Sequence, residues 1–173
     1  MTTWRPIPGW RGYYEASDTG LIRSIPRTVH HPRGGARNLK GRVLRPSRNH
    51  KGYQIVVLAR DGKRFAYAVH RLVAETFLGP LPDGLVTCHI DGDNQNNAAS
   101  NLRYATASEN NLDIVRHGRN HNVNKTHCPQ GHEYSPGNVL KNTDRGRRCR
   151  TCHNERSARR RAAQRAARFT KAA

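Results

Sequence analysis

The stretch between Leu85 and Gly118 carries residues that could hydrolyse a phosphodiester bond. Such a reaction needs a base that activates water, a divalent metal that stabilises developing charge, and a group that orients the base. His89 can serve as the base, and Asn101 can orient its imidazole. Asn110 offers an oxygen atom of the kind that Mg²⁺ prefers. An Asn-rich turn beside a core histidine is the alternative interpretation.

The elements around these residues follow the order strand, loop, strand, helix. Residues 85–89 form an apolar run that leads into a tight turn, and Leu102–Ala105 is a second short strand. The Thr106-x-x-Glu109 pattern predicts a capping box at the start of a helix that Gly118 can end. The sequence therefore predicts a ββα unit with His89 at the end of its first strand.

A hairpin and a helix are predicted before this unit. The β-branched run at 52–58 and the run at 65–69 flank Asp61-Gly62, a pair typical of a tight hairpin turn. Apolar residues then recur at helical spacing over 69–77, and Gly79-Pro80 ends the helix. For His70, near the start of that helix, we expect a hydrogen bond to neighbouring backbone rather than a catalytic role.

The first 50 residues predict a β-rich unit, because short apolar stretches alternate with Gly and Pro. Residues 27–48 are basic and poor in apolar side chains, which predicts a loop. Such a loop either contacts phosphates or is merely solvated.

Near the C-terminus, Cys128-x3-His132 and Cys149-x2-Cys152 have the spacing of two metal-binding knuckles. Thiolates and an imidazole are the ligands of a structural, four-coordinate Zn²⁺ site. Disulfides or unrelated thiols are the alternatives. The following Ala/Arg-rich tail predicts a helix that becomes ordered along a DNA backbone, or else a solubilising segment.

The chain has 31 Lys and Arg against 12 Asp and Glu, a net charge of +19. Such a charge favours a polyanionic partner, and nucleic acid is the first candidate. No apolar run is long enough to span a bilayer, and the N-terminus lacks the apolar region of an export signal. We therefore expect no membrane association, an intracellular location and no disulfides.

Composition shifts and motifs divide the chain into four expected parts: a β-rich module expected to contact DNA (1–50), a core with the hairpin, the helix and the residues suited to phosphodiester hydrolysis (51–120), a zinc-binding module (121–155) and a basic tail (156–173). We expect an α+β fold, a monomer, and no small-molecule cofactor. The predicted DNA contacts are arginines of the first module, the core and the tail: Arg23, Arg42, Arg45, Arg103, Arg159, Arg160 and Arg161.

Segments within residues 66–118 resemble the HNH homing endonucleases of bacteriophages. The segments that carry this resemblance are Val69-His70-Arg71-Leu72-Val73-Ala74 up to Phe77, Cys88-His89-Ile90-Asp91-Gly92-Asp93, Asn96-Asn97, Asn101-Leu102-Arg103-Tyr104-Ala105-Thr106 and Glu109-Asn110. The pattern from Trp4 to Ser24 also resembles a DNA-binding module often fused to these nucleases, and residues 128–152 resemble zinc ribbons appended to them.

The resemblance implies a treble-clef-like ββα-metal core that cleaves double-stranded DNA with Mg²⁺, leaving 5′-phosphate and 3′-hydroxyl ends. It also implies a location in the cytoplasm of a bacterial host cell. It implies His89 as general base, Asn101 as its orienting partner and Asn110 as a metal ligand. Cys88 stands where family members often carry a metal-binding residue, so Asp91 or a phosphate oxygen is expected to complete the metal shell. A DNA-binding protein that has lost catalysis is the alternative, and RNA binding is a third class.

Overall fold

The computed structural model describes residues 1–30, 34–140 and 146–169, and the chain divides into two compact units, Met1–His117 and Gly118–Ala173. The strands of the first unit are β1 (Trp4–Pro6), β2 (Tyr14–Ser17), β3 (Ile22–Ser24), β4 (Arg27–His30), β5 (Ala36–Leu39), β6 (Arg42–Val43), β7 (Ser47–Arg48), β8 (Gln54–Arg60), β9 (Lys63–Ala68), β10 (Val86–His89) and β11 (Leu102–Ala105). Its helices are α1 (Val69–Phe77) and α2 (Ala107–Arg116). The second unit contains α3 (His121–Asn124), β12 (Val139–Leu140), β13 (Arg148–Cys149) and α4 (Arg150–Phe169).

Three antiparallel sheets occupy the first 68 residues. Their strand orders are β1-β2-β3-β6, β4-β5 and β7-β8-β9. Residues 27–48, expected to be a loop, instead contribute β4 to β7. That expectation was wrong because these strands are short and largely exposed, so they extend or pair at sheet edges without the buried side chains that mark a strand in sequence.

One hydrophobic core joins the N-terminal module to the hairpin and α1. Ile7, Leu58 and Val73 are fully buried in it, and Trp10 packs edge-on against Phe65 and Tyr67 of β9. Residues 1–50 thus share a core with the next segment, because neither carries enough apolar surface to build its own. The boundary between the two compact units of the structure lies between residues 117 and 118.

The predicted hairpin and helix are confirmed. β8 and β9 pair over six residues on each strand, and Asp61 (φ 52°) and Gly62 (φ 76°) form the turn between them. α1 follows β9 directly and buries an apolar face against the core.

The ββα unit is also confirmed. β10 pairs antiparallel with β11, so that Cys88 lies opposite Arg103 and His89 opposite Leu102. Thr106 and Glu109 form the capping box at the start of α2. Helix α2 has no buried side chain, so polar contacts carry much of its attachment to the hairpin.

In the second unit, β12 pairs antiparallel with β13, and α4 begins at the residue after Cys149. The predicted boundary between zinc module and tail therefore lies inside one helix, and the last four residues of that tail, 170–173, lie outside the described residues. Among the helices described, none has the length and apolar character needed to cross a membrane.

Candidate active site and metal centre

His89 is held at the end of β10 by a buried amide. Its Nε2 lies 3.1 Å from Oδ1 of Asn97, a residue that is 3% exposed. The Nδ2 of Asn97 donates to Oε1 of Gln54 (3.1 Å) and to the carbonyl of Gln95 (3.3 Å), which identifies the atom facing His89 as oxygen. Because an amide oxygen only accepts, Nε2 of His89 carries the proton and Nδ1 keeps a lone pair. The arrangement leaves Nδ1 as the basic atom.

Asn101 makes different contacts from those expected. Its Oδ1 accepts from the backbone N–H of Asp91 (3.1 Å), its Nδ2 donates to the Asp91 carboxylate (2.9 Å), and its carbonyl accepts from Ile90 (2.8 Å). It therefore shapes the turn after β10, while Asn97 makes the hydrogen bond to the imidazole. The sequence offers no signal for this difference, because several asparagines crowd one loop.

The Asp91 carboxylate is occupied within the same turn. It accepts hydrogen bonds from the side chains of Asn101 and Asn96 and from the backbone of Asp93, at 2.7–2.9 Å. Burial is the largest single influence and acts to raise the pKa of Asp91, but the hydrogen bonds together outweigh it and lower that pKa. Asp91 thus organises the turn as an anion, and its oxygen atoms are committed to protein donors rather than free for a metal.

The N-terminal module supports the loop that holds His89. The backbone N–H of Ala99 donates to the carbonyl of Asp18 at 2.8 Å. Gly20 has a φ of +90°, and a Cβ on it would come within 2.8 Å of the Asn97 carbonyl carbon. The turn before β3 therefore lies directly against the residue that orients the base.

Two aromatic rings, those of His70 and Tyr53, lie beside the base. His70 lies 5.1 Å from His89 and 5.0 Å from Tyr53, and Tyr53 is stacked on His89 at 6.1 Å, all between ring centroids. Burial, aided by His89 and Arg71, lowers the pKa of His70 to about 4. The backbone hydrogen bond expected for His70 is not found: its Nδ1 is enclosed and has no partner among the described residues. An unsatisfied group of this kind costs about 1–3 kcal/mol.

An ion pair links α2 to β11 beside Cys88. Arg103 of β11 donates to the carboxylate of Asp113, which also pairs with Arg116 at 3.0 Å. The pairing lowers the pKa of Asp113, whereas burial raises the pKa of the Cys88 thiol. Asn110 lies one turn before Asp113, and its side-chain amide makes no hydrogen bond within the described residues. The amide of Asn110 is therefore available to a ligand.

The arginines predicted to bind DNA fall into two groups. Arg23 pairs with Glu15 at 2.6 Å, and Arg103 pairs with Asp113, so both are partly neutralised within the fold. The others are exposed and form no ion pair with described residues: Arg42, Arg45, Arg159, Arg160 and Arg161. These five keep their charge available for an external anion.

The predicted knuckles come together in the second unit. The ligand atoms of Cys128, His132, Cys149 and Cys152 all lie within 4.8 Å of one another. His132 Nδ1 is 3.2 Å from Cys152 Sγ and 3.6 Å from Cys128 Sγ, and a tetrahedral metal with bonds of about 2.0–2.3 Å needs edges of roughly 3.5–3.8 Å. The other imidazole nitrogen lies 3.9 Å from Oε1 of Glu155, which favours Nδ1 as the ligand atom.

Two family models match the chain. The HNH endonuclease model matches residues 67–112, and the NUMOD4 motif matches residues 3–59. Together they cover the base, the loop that orients it and the module that packs against that loop.

Known proteins resemble the same region. DNA endonuclease I-HmuI of Bacillus phage SP01 is 35% identical over 107 residues, which are 62% of this chain and 54% of that protein. Uncharacterized HNH endonuclease L245 of Acanthamoeba polyphaga mimivirus is 30% identical over 68% of this chain and 31% of its own length. A solved structure also resembles this chain, with a TM-score of 0.55 and 32% sequence identity. It is described as DNA binding and cleavage by the HNH homing endonuclease I-HmuI, and the match covers 68% of this chain and 60% of that one. The chain thus spans about half the length of I-HmuI and less of L245.

Proposed function

Residues 67–112 of this chain are an HNH endonuclease domain and residues 3–59 are a NUMOD4 motif, and from this premise we propose that the protein is a metal-dependent DNA endonuclease of the homing type. Its substrate is double-stranded DNA, cut at a preferred site. The observation that carries the proposal is the geometry of His89, whose Nε2 is fixed by Asn97 while Nδ1 keeps its lone pair. The likeness to I-HmuI supports both the reaction and the substrate.

In the proposed reaction, Nδ1 of His89 takes a proton from water, and the water oxygen attacks the phosphorus in line with the leaving 3′ oxygen. Cleavage then leaves a 5′-phosphate and a 3′-hydroxyl, whose oxygen takes its proton from solvent water, and His89 returns its own proton to solvent. Asn97 holds the imidazole in the required tautomer before the transfer and still accepts a hydrogen bond from Nε2 once both ring nitrogens carry hydrogen. Mg²⁺, when bound, stabilises the negative charge that develops on the phosphate and on the leaving oxygen.

The residues present fit a magnesium ion whose ligands come largely from the phosphate oxygens of the DNA substrate. Asn110 has a hard amide oxygen and no competing hydrogen bond within the described residues. Cys88 is a poor ligand for Mg²⁺, because its sulfur is soft and burial raises its pKa. Mg²⁺ commonly keeps several waters and takes phosphate oxygens as ligands. We therefore propose that Asn110 and the DNA backbone hold the metal, with Asp91 left to the turn.

The second unit is proposed to bind one structural Zn²⁺ through Cys128, His132, Cys149 and Cys152. Four soft or borderline donors at tetrahedral spacing support this metal over Mg²⁺. Such an ion would fasten β13 and the start of α4 to the first knuckle, in a unit with few buried apolar residues.

DNA affinity is proposed to rest on the net charge of +19 and on the exposed arginines of both units. Phosphate contacts of this kind release counterions, so affinity should fall steeply as salt rises. Arg42, Arg45 and the arginines at 159–161 are the strongest candidates, because acidic side chains occupy Arg23 and Arg103.

The proposal is tested by nicking of supercoiled host or phage DNA with Mg²⁺, with Mn²⁺ and with EDTA. Metal-dependent nicking is expected for the wild type and for His50→Ala, which removes an exposed histidine of the same unit. His89→Ala should bind DNA with unchanged affinity and cut about 100-fold to 10,000-fold more slowly, the typical range for a lost general base. Nicking by His89→Ala at the wild-type rate would remove His89 from this role.

A DNA-binding protein without catalysis is the second candidate, favoured by Cys88 at a position where a metal ligand often stands. It predicts salt-dependent binding without products under any metal.

A further inference from the structure

Gln54 lies outside the segment that matches the HNH model, yet its side chain contacts the residue that orients the base. It begins β8 and falls within the NUMOD4 match at residues 3–59, whereas the HNH match starts at residue 67. Its Oε1 accepts a hydrogen bond of 3.1 Å from Nδ2 of Asn97, 43 positions further along the chain. Gln54 is partly buried, and the proposed reaction gives its side chain no role of its own.

A series of amides links this contact to a backbone carbonyl. Nε2 of Gln95 donates to the carbonyl of Gly52 and, at 2.9 Å, to Oδ1 of Asn94. Because a carbonyl oxygen only accepts, the contact with Gly52 determines which end of the Gln95 amide is nitrogen. Oε1 of Gln95 then accepts from Nε2 of Gln54 at 3.4 Å, which turns Oε1 of Gln54 toward Asn97. The direction set at Gly52 therefore passes through two glutamines.

Asn97 converts that direction into a tautomer of the base. Its Nδ2 has two acceptors, Oε1 of Gln54 and the carbonyl of Gln95, so its Oδ1 is left to face His89. Nε2 of His89, 3.1 Å away, must then carry the hydrogen. If the amide of Asn97 turned over, its nitrogen would face the same ring atom, and the hydrogen of His89 would lie on Nδ1 instead. A ring in that tautomer cannot take a proton from water at Nδ1.

We propose that Gln54 is a positioning residue of the nuclease: it holds the amide of Asn97 in the orientation that keeps the hydrogen of His89 on Nε2. This inference rests on the proposed function. Gln54 acts through Asn97 rather than on the reacting atoms. The NUMOD4 segment then supplies part of the support of the base, in addition to any role in binding DNA.

The test compares three variants of the full chain. Gln54→Met has no amide, Gln54→Glu keeps an oxygen that faces Asn97, and Gln164→Met is the same change as the first at an exposed residue of the second unit. Cleavage is measured in single turnover with saturating protein and Mg²⁺, DNA affinity by titration without metal, and stability by urea unfolding. The tautomer of His89 is read from long-range proton–nitrogen NMR spectra of the histidine rings at mildly alkaline pH. Its signals are assigned by their loss in His89→Ala.

We expect Gln54→Met to bind DNA as the wild type does and to cut on the order of 10-fold more slowly, because Asn97 is 3% exposed and water cannot readily replace the lost acceptor. Part of the His89 signal should move to the tautomer with its hydrogen on Nδ1. Gln54→Glu should recover most of the lost rate and keep the hydrogen on Nε2, since a carboxylate oxygen accepts from Asn97 as an amide oxygen does. Gln164→Met should match the wild type in every measurement.

A wild-type cleavage rate for Gln54→Met would overturn the inference and leave the proposed nuclease intact. A slow rate with an unchanged tautomer, or a loss that Gln54→Glu shares in full, would also overturn it, because Gln54 would then act on folding or binding rather than on the orientation of Asn97. Absence of cleavage by the wild type with every metal would instead refute the proposed function. In that case the tautomer comparison would still decide whether Gln54 orients His89.

Discussion

Gly20→Ala is predicted to disturb the base from a distance, through the loop that holds it. Gly20 has a φ of +90°, and a Cβ there meets the backbone of Asn97 at 2.8 Å for the carbonyl carbon and 2.9 Å for the oxygen. Backbone atoms cannot rotate away as a side-chain tip can. The Asn97 segment must therefore shift, and with it the hydrogen bond to Nε2 of His89.

The loss of unfolding free energy expected for Gly20→Ala has two parts. An L-residue in the left-handed region costs about 1–2 kcal/mol. Overpacking against fixed atoms costs about 1–3 kcal/mol more. Gly12→Ala is the matched control, because Gly12 has a φ of +82° and nothing within 4 Å of its Cβ position. Gly12→Ala should show only the first part, so the difference between the variants measures the contact with Asn97.

Urea unfolding followed by tryptophan fluorescence suits this comparison, because both tryptophans, Trp4 and Trp10, lie in the first unit. We expect Gly20→Ala to lose about 2–5 kcal/mol of unfolding free energy and Gly12→Ala about 1–2 kcal/mol. Cleavage by folded Gly20→Ala should fall on the order of 10-fold to 100-fold, because small misplacements of a base are costly. Equal stability and equal cleavage for the two variants would refute the proposed coupling between Gly20, Asn97 and His89.

Four further predictions concern other parts of the molecule. Cys88→Asp should lower the Mg²⁺ concentration that gives half-maximal cleavage, since it adds a hard ligand beside Arg103; an unchanged metal requirement in a titration would contradict this. Asp113→Asn should slow cleavage with little loss of stability in urea unfolding, because solvent screens the partly exposed pair with Arg103. An unaltered cleavage rate would show that α2 needs no such link. Chelation should release about one Zn²⁺ per chain and reduce helicity without changing tryptophan fluorescence, and metal analysis that finds no zinc would count against the site. The pKa of His70 is about 4 in the folded state and about 6.5 in the unfolded chain. The free energy of unfolding should therefore fall as pH drops from about 6.5 to 4, by at most about 3 kcal/mol. Urea midpoints measured across this range should change less for His70→Phe, which lacks the titrating group.

Much of the fold could be predicted because its signals are local. The hairpin turn at Asp61-Gly62, the capping box of Thr106 and Glu109, and the spacing of the four metal ligands each depend on residues near one another in sequence. Local chemistry of this kind predicts an element regardless of what packs against it. The same holds for the placement of His89 at a strand end.

The rest depends on contacts between distant residues. Asn97 bonds Gln54 and lies against Gly20, and neither partner is near it in sequence, so nothing in the loop distinguishes it from Asn101. The unpaired Nδ1 of His70 is likewise visible only once α1 has packed beside β10. The strands within residues 27–48 were missed because they are exposed, and exposure removes the hydrophobic alternation by which strands are recognised.

Because Cys88 is buried, its reactivity measures local opening of the ββα unit. Cys88 is the sole cysteine of the first 117 residues and is 3% exposed, and its raised pKa leaves little thiolate at neutral pH. Alkylation requires an accessible thiolate. Each modification of Cys88 therefore records a local opening in which the β10–β11 hairpin has separated from helix α2. No residue of helix α2 is fully buried, so such events should be frequent in the free protein and suppressed when a bound duplex holds the helix in place.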